Sequence, residues 1–438
     1  MRFTYKKIFF WLALFLLLSL LPFGLALLGP IPAPRSYWVE FGVGLGFVGM
    51  GVMALQFISS GRFYRIAPAF GSDFVLQFHR QAGIIGVLLV LAHPVVMILS
   101  NPVYLEYFDP RVNFLRALAL SFVTVALIAI IITSIWREPV GLQQYEWWRL
   151  LHGLLALGII FVGMVHALQV SHYLNAIWKQ GIWAGGLLGI MYLVIHTRLV
   201  RPWLMSRRPY KVLEMKEERS DTWSMTLVPD GHDGFDFQAG QFGWITIGDS
   251  PFSLQQHPFS FSSSALREHM TFTAQVVGDF TATWQDIEPG TRAFIEGPFG
   301  GFTRNPAAKG LFFIIGGSGI GPAMSIIRTM YDDNDERPVI LLYGNPRWEE
   351  VVFRDDLEDL SQKMNLQVVH IVEEPPANWE GESGLLDKEM LARYLPPNKE
   401  EFEYLTCGPM PLMNVAESSL RELGISWQQI ISERFKIV

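Results

Sequence analysis

Apolar positions are concentrated in the first half of the chain, where six segments are almost continuously hydrophobic. They cover residues 8–28, 38–58, 76–99, 114–136, 148–171 and 182–200. Each is close to the about 20 residues with which an α-helix crosses the hydrocarbon core of a bilayer. The first is too long for the apolar region of a cleavable signal and a second follows closely, so we expect it to be retained. The pattern predicts six membrane-spanning helices.

The second half has two different patterns. Between residues 210 and 305, short alternating runs are split by glycine and proline, which predicts an antiparallel β-barrel. The predicted strands there are Trp223–Val228, Trp244–Ile247, Met270–Val277 and Arg292–Glu296. From Gly310 onward, strand-like and helix-like segments alternate, which is typical of a parallel sheet with crossover helices. These predicted elements are strands Leu311–Ile315, Val339–Tyr343, Leu366–Val372 and Glu403–Thr406, with helices Glu349–Leu360 and Pro411–Leu423.

Three domains follow from these patterns. Residues 1–205 are predicted to form an all-α six-helix membrane domain, residues 206–305 a soluble β-barrel domain, and residues 306–438 an α/β nucleotide domain.

Basic residues near the helix ends predict the orientation of the membrane domain, because lysine and arginine favour the cytoplasmic side. One side carries Arg2, Lys6, Lys7, Arg62, Arg65, Arg137, Arg198, Arg201, Arg207 and Arg208, and the other has fewer: Arg35, Arg111, Arg116 and Lys179. We therefore expect a multi-pass protein of the cell membrane with both termini in the cytoplasm. The third and fifth spans would both run outward from the cytoplasmic side.

Composition narrows the chemistry. Of 438 residues 50% are hydrophobic, the formal net charge is −7, and a single cysteine, Cys407, is present. An acidic chain lacks the basic footprint of duplex binding, so we expect no nucleic-acid partner. One cysteine excludes an internal disulfide and a cysteine-ligated iron–sulfur cluster. Redox chemistry would need haem or organic cofactors.

Four histidines form two pairs with the same spacing. His79 and His93 lie in the third apolar segment, His152 and His166 in the fifth, and each pair is 14 positions apart. On a helix this offset is about 21 Å of rise, and both imidazoles share one face. A single histidine in an apolar helix is more often packed or hydrogen-bonded to a carbonyl, but ionisable residues in membrane spans are rare and functional. Two parallel helices of this kind predict two bis-histidine haem sites, one above the other.

A glycine-rich turn follows the first predicted strand of the α/β domain. It reads Gly316-Gly317-Ser318-Gly319-Ile320-Gly321-Pro322. Backbone amides can approach a ligand there, and a helix N-terminus favours negative charge, so a pyrophosphate fits. A tight turn without a ligand is the alternative. Cys407-Gly408-Pro409 ends a later strand, where open α/β sheets place their ligands, although a buried cysteine before a turn is also consistent.

From about residue 40 to the terminus, these segments resemble the NADPH oxidase and ferric reductase superfamily, a six-helix haem domain fused to a ferredoxin-reductase-type dehydrogenase. The paired histidines match the four haem ligands of that family. His257, Pro258, Phe259 and Ser260 resemble its flavin motif, with serine in place of threonine. Gly278 to Thr281 resembles the flavin-pyrophosphate segment, and Gly297 to Gly300 the turn that closes the flavin domain.

The same resemblance assigns roles in nucleotide binding. Gly316, Gly317, Gly319, Gly321 and Pro322 would hold the pyrophosphate, and Cys407, Gly408 and Pro409 would lie near the nicotinamide. Arg347 follows the second strand, where it could meet the 2′-phosphate of NADPH, unless it is only a surface arginine. Phe435 resembles the aromatic residue that covers the flavin in relatives, where it often ends the chain, whereas three residues follow it here. The implied cofactors are FAD, two haems b and NADPH or NADH.

The resemblance implies a transmembrane electron pathway. Two electrons would pass as a hydride from NAD(P)H to FAD and then singly through the haems to an external acceptor. The leading expectation for that acceptor is dioxygen, reduced to superoxide, with a ferric chelate as the alternative. Donation to a periplasmic repair protein is a further possibility, and a haem-binding membrane scaffold is the non-enzymatic one. Partners would be lipid, the nicotinamide nucleotide and the acceptor.

Overall fold

The structure is a computed structural model, and it describes residues 5–59, 72–136 and 145–434. The chain falls into two compact units, one of which contains Val75–Val200, while the other contains Arg201 onward. The basic residues Arg2, Arg62, Arg65 and Arg137, used above for orientation, lie outside the described residues, as does Phe435.

The first unit is built from six long helices. They are α1 (Tyr5–Leu27), α2 (Tyr37–Ser59), α3 (Ser72–Ser100), α4 (Phe114–Ile135), α5 (Tyr145–Val170) and α6 (Ile177–Ile195). Among the described residues, six helices are long and apolar enough to cross a membrane, which confirms the predicted number. Leu99 and Leu115 are 79% and 74% exposed. Such exposure of large apolar side chains fits contact with lipid and not a soluble surface.

Close approach of α2 to its neighbours depends on glycine. A Cβ at Gly51 would lie 2.1 Å from the carbonyl oxygen of Ser19 on α1, and one at Gly49 would lie 2.7 Å from a methyl of Val90 on α3. Small residues at helix crossings let backbones approach in a membrane, where packing drives association. The glycine-rich segment therefore serves helix packing.

The sixth span begins earlier than its predicted start at residue 182. Lys179, assigned above to an external loop, instead belongs to α6 and is completely buried. Its ammonium donates to the carbonyl oxygens of Ala26 at 3.0 Å and Tyr173 at 3.1 Å. These bonds compensate the burial of its charge. At its other end α6 continues through a π-helical turn, His196–Val200, into α7 (Arg201–Met205).

An antiparallel sheet opens the second unit, as predicted. Its strands are β1 (Tyr210–Glu217), β2 (Thr222–Pro229), β3 (Phe242–Ile247), β4 (His257–Ser260), β5 (Met270–Gln275) and β6 (Arg292–Phe299), and a short helix, α8 (Asp279–Ala282), follows β5. The strand order is β4-β3-β6-β1-β2-β5. A bridge between Phe261, just after β4, and Phe272 of β5 joins the two edges into a barrel. Alternate residues Met270, Phe272 and Ala274 face its core.

A parallel six-stranded sheet completes the unit. Its strands are β7 (Gly310–Gly316), β8 (Val339–Arg347), β9 (Leu366–Glu374), β10 (Glu382–Ser383), β11 (Phe402–Cys407) and β12 (Ile430–Glu433), in the order β10-β9-β8-β7-β11-β12. Its helices are α9 (Ile320–Asp332), α10 (Arg354–Lys363), α11 (Lys388–Tyr394) and α12 (Met410–Glu422). The helix predicted from Glu349 begins only at Arg354, because Phe353 takes a left-handed conformation with φ of 59°. The fold class is thus confirmed.

Candidate functional site

The first histidines of the two pairs face each other across the helix bundle. The ring centroids of His79 on α3 and His152 on α5 are 6.3 Å apart. Two axial imidazoles on one metal, each bound at about 2 Å, would have centroids roughly 6 Å apart. Ser59 Oγ lies 3.1 Å from His79 Nδ1, and Ser134 Oγ lies 3.5 Å from His152 Nδ1. Because the hydroxyls contact Nδ1 of each ring, the Nε2 atoms of His79 and His152 are left to bind a metal. The separation of the ring centroids fits two imidazoles on one iron.

The second histidines lie farther along the same two helices. His93 Nδ1 donates to the carbonyl oxygen of Gly42 on α2 at 2.8 Å. A carbonyl only accepts, so Nδ1 carries the proton and Nε2 is left as a possible ligand. A Cβ at Gly46 would lie 3.1 Å from the same ring nitrogen, so glycine makes room for the imidazole. On α5, His166 lies close enough to His93 to interact with it electrostatically.

A short segment between α3 and α4 packs against His166. A 3₁₀ helix, Pro102–Tyr107, begins at Asn101, whose side chain caps it by accepting from the Val103 amide. The rings of Tyr107 and His166 meet edge to face, with centroids 5.9 Å apart. Sequence reasoning missed Tyr107, as well as Ser59 and Ser134, because only the packing of helices distant in sequence reveals their contacts.

Three segments of the barrel domain that are separate in sequence converge around β4. Ser260 on β4 and Phe299 on β6 both pair with Phe242 of β3. Phe280 on α8 stacks on His257, with ring centroids 4.1 Å apart. The motifs at His257 to Ser260, Gly278 to Thr281 and Gly297 to Gly300 therefore lie side by side, as a shared ligand would require.

One buried polar atom in this region fits a flavin. Ser260 is 7% exposed, and its hydroxyl is buried without a hydrogen-bond partner in the described part of the chain. Such a group costs free energy unless a ligand satisfies it. Thr281 differs, because its hydroxyl accepts from the amides of Val277 and Gly278 at 3.0 and 3.2 Å. Those amides are engaged within their own loop, so direct binding of a phosphate by both would need the loop to rearrange.

The two predicted nucleotide motifs lie next to each other in the parallel sheet. Ile315 of β7 pairs with Cys407 of β11, and the strand order reverses between these strands, where open α/β sheets bind ligands. A Cβ at Gly319 would lie 2.6 Å from the Cys407 carbonyl oxygen, and one at Gly408 would lie 2.9 Å from the Gly316 nitrogen. Glycine thus keeps the two loops in backbone contact.

Several predicted residues in these loops have distinct environments. Gly317 has φ of 49° and Gly321 has open space beside it, whereas Pro322 is buried in the first turn of α9. The side chain of Cys407 is completely buried in the hydrophobic core. The thiol therefore has no exposed surface with which to touch a nicotinamide, and a catalytic role for it stays a prediction.

Arg347 ends β8 at the surface, beside an acidic partner. Its Nε lies 3.0 Å from a carboxylate oxygen of Glu374 on β9, and the side chains are 60% and 70% exposed. Hydrogen bonding to Glu374 raises the pKa of Arg347. A 2′-phosphate would have to compete with Glu374 for the Arg347 guanidinium.

His370 lies on β9 as well. Burial lowers its pKa to about 4, so this imidazole is neutral at physiological pH.

Comparison with known families agrees with this architecture. Residues 45–165 match the ferric reductase like transmembrane component, and residues 313–418 match the oxidoreductase NAD-binding domain. The first match contains His79, His93 and His152 and ends one residue before His166, and the second contains both nucleotide loops.

Several curated reductases are similar to part of the chain. The plasma membrane-associated coenzyme Q6 reductase PGA3 of Saccharomyces cerevisiae is 25% identical over 67% of this chain and 92% of its own length. The NADH oxidoreductase HCR of Escherichia coli is 25% identical over 53% of this chain and 68% of its own. Among solved structures, the ferredoxin reductase in carbazole 1,9a-dioxygenase is 26% identical over 52% of this chain and 69% of its own, with a TM-score of 0.44. The two family matches identify the chain as an oxidoreductase with a membrane domain and an NAD-binding domain.

Proposed function

Because this chain belongs to the NADPH oxidase and ferric reductase superfamily, we propose that it oxidises NAD(P)H on the cytoplasmic side of a membrane and delivers electrons to an acceptor on the other side. The observation that carries the proposal is the meeting of two equally spaced histidine pairs, with His79 and His152 at a centroid separation of 6.3 Å. A reductase without a membrane domain would not need paired histidines within apolar helices.

FAD and two haems b, when bound, supply hydride acceptance and single-electron transfer. The chain's own residues orient these groups. The carbonyl of Gly42 fixes the ring orientation of His93. The hydroxyl of Ser59 does so for His79, and the hydroxyl of Ser134 for His152. His166 completes the second pair.

In the soluble unit, the loops at Gly316 to Pro322 and at Cys407 to Pro409 would bind the nicotinamide nucleotide. Ser260, His257 and Phe259 would contact the flavin, with Gly278, Thr281, Gly297 and Gly300 shaping its surroundings. Phe435 is proposed to shield the flavin ring. These steps require no nucleophile or general acid, so binding and orientation are what the protein provides.

We propose dioxygen as the acceptor, with superoxide as the product. His79 with His152 and His93 with His166 would each hold one haem, and the haems would supply single electrons to a small acceptor that does not bind to iron. Superoxide dismutase-sensitive dye reduction by membranes given NAD(P)H tests this step. Activity with ferric chelates alone would assign a ferric reductase instead.

The main test is a reduced-minus-oxidised visible spectrum of the purified holoprotein during addition of NADH or NADPH. We expect b-type bands from about two haems per flavin. His93→Ala and His166→Ala should each abolish reduction of the external acceptor and leave flavin reduction intact. His196→Ala, a histidine outside the pairs, is the control and should keep both. Retained export in the two outer-pair variants would overturn the haem assignment.

A further inference from the structure

Arg116 lies near His166, which with His93 would form the outer of the two haem sites, and it occupies a position where a cation is unexpected. It occupies the first turn of α4, and its backbone amide donates to the capping side chain of Asn113 at 3.0 Å. The N-terminus of a helix carries a partial positive charge, so a cation there is unfavourable. A residue in this position needs another reason to be charged.

The surrounding contacts fix the guanidinium in place. It lies over the ring of Tyr107, 4.3 Å from the centroid, and Nη2 donates to the carbonyl oxygen of Glu106 at 3.0 Å. The same ring also contacts His166, with ring centroids 5.9 Å apart. Tyr107 thus contacts both the cation and the imidazole.

The charge of Arg116 is not neutralised by a neighbouring acid. Within the described residues the guanidinium makes no ion pair with a carboxylate, and its Nε is buried without a hydrogen-bond partner. Arg111, on the same segment, is different, because it pairs with Asp109 at 2.8 Å and its side chain is 88% exposed. Arg116 also interacts electrostatically with His166. An unpaired charge that is partly buried acts more strongly on its surroundings than a paired, exposed one.

Given the proposed function, on which this inference rests, we propose that Arg116, held by Tyr107 and Glu106, raises the reduction potential of the haem that His166 would ligate. A nearby positive charge favours the reduced form, which carries one positive charge less. The outer site thereby becomes the better electron acceptor, and outward transfer becomes more favourable. Arg116 acts through its positive charge and touches no reacting atom.

Anaerobic spectroelectrochemical titration of the purified holoprotein tests the role of Arg116. The wild type should show two one-electron haem transitions, and the one that disappears in His166→Ala identifies the outer haem. Arg116→Gln should shift that midpoint potential downward and leave the other in place. Arg116→Lys, which keeps the charge, should stay close to the wild type, and Arg111→Gln should leave both potentials unchanged.

Four results would overturn the inference. The first is that Arg116→Gln keeps both haems and both midpoint potentials are unchanged. The second and third are that Arg116→Lys, or Arg111→Gln, shifts the potential as much as Arg116→Gln does. The fourth is that both Arg116→Gln and Arg116→Met lose haem. The last result would make the side chain necessary for haem retention itself. Absence of two haem transitions in the wild type is a separate outcome, because it refutes the proposed function.

Discussion

At the scale of single residues, we propose that the ion pair of Arg347 and Glu374 sets the preference between NADPH and NADH. Exposed ion pairs contribute at most about 1 kcal/mol, whereas hydrogen bonds to charged groups contribute roughly 1.5–3 kcal/mol. A 2′-phosphate could therefore displace Glu374. We expect Arg347→Gln to lower kcat/KM for NADPH about tenfold and to change that for NADH little. The measurement is steady-state reduction of a soluble dye with each nucleotide.

Glu374→Gln is the matched companion to that variant. Removing the charge of the competing carboxylate weakens its interaction with the guanidinium, so kcat/KM for NADPH should rise relative to that for NADH. Equal behaviour of both nucleotides in both variants would show that Arg347 is an ordinary surface arginine. The sequence alone could place Arg347 after the second strand, but its acidic partner lies on β9 and becomes visible only when the register pairs Arg347 with Glu374.

At the scale of elements, the contact between the β7–α9 and β11–α12 loops is the feature most sensitive to a single methyl group. In Gly319→Ala the new Cβ would meet the Cys407 carbonyl oxygen at 2.6 Å, and backbone at this distance cannot move aside cheaply. Overpacking of this kind costs about 1–3 kcal/mol. We expect a lower melting temperature and at least about tenfold weaker NAD(P)H binding.

Gly321→Ala is the stability control for this variant. It adds the same methyl group to the same segment, but beyond the adjoining backbone no atom of the described residues lies within 4 Å of the new Cβ. Its melting temperature should stay at or above that of the wild type, because alanine is the better helix former in α9. Equal loss of stability in both variants would show that the close contact at Gly319 is unimportant.

The periodicity of the sequence predicted the type of each element more reliably than its first and last residues. The six spans and the main strands could be predicted, because long apolar runs and strand–helix alternation are strong signals. The start of α10 could not, since it depends on the left-handed Phe353, a bulky residue that gives no local warning. The burial of Lys179 was hidden as well, because its carbonyl partners Ala26 and Tyr173 belong to other segments.

The same limit applied to the candidate sites. Equal spacing predicted which histidines pair, and the structure brings His79 and His152 together. The groups that orient and tune them, such as Ser134 and Arg116, share no motif with the histidines. Their roles depend on which helix ends meet, which one sequence does not reveal.

At the scale of the whole molecule, the proposed function requires electrons to move in one direction across the bilayer. Reconstituted vesicles with a membrane-impermeant ferric acceptor sealed inside provide the test. NADH added outside reaches only molecules whose soluble half faces outward, and these should reduce the enclosed acceptor. Each exported electron moves negative charge into the vesicle lumen, so a potential-sensitive dye should report an interior that becomes negative.

An opposing potential should slow this transfer, because moving one charge against 100 mV costs about 2.3 kcal/mol. Clamping the lumen negative with potassium and valinomycin should therefore reduce the rate, and collapsing the gradient should restore it. His93→Ala provides the control, since it should abolish transfer while NADH still reduces a soluble dye outside. Two results would show that the soluble half works without the membrane domain and that the haem pathway is wrong. One is reduction of the enclosed acceptor at a rate independent of the potential, and the other is reduction only after detergent is added.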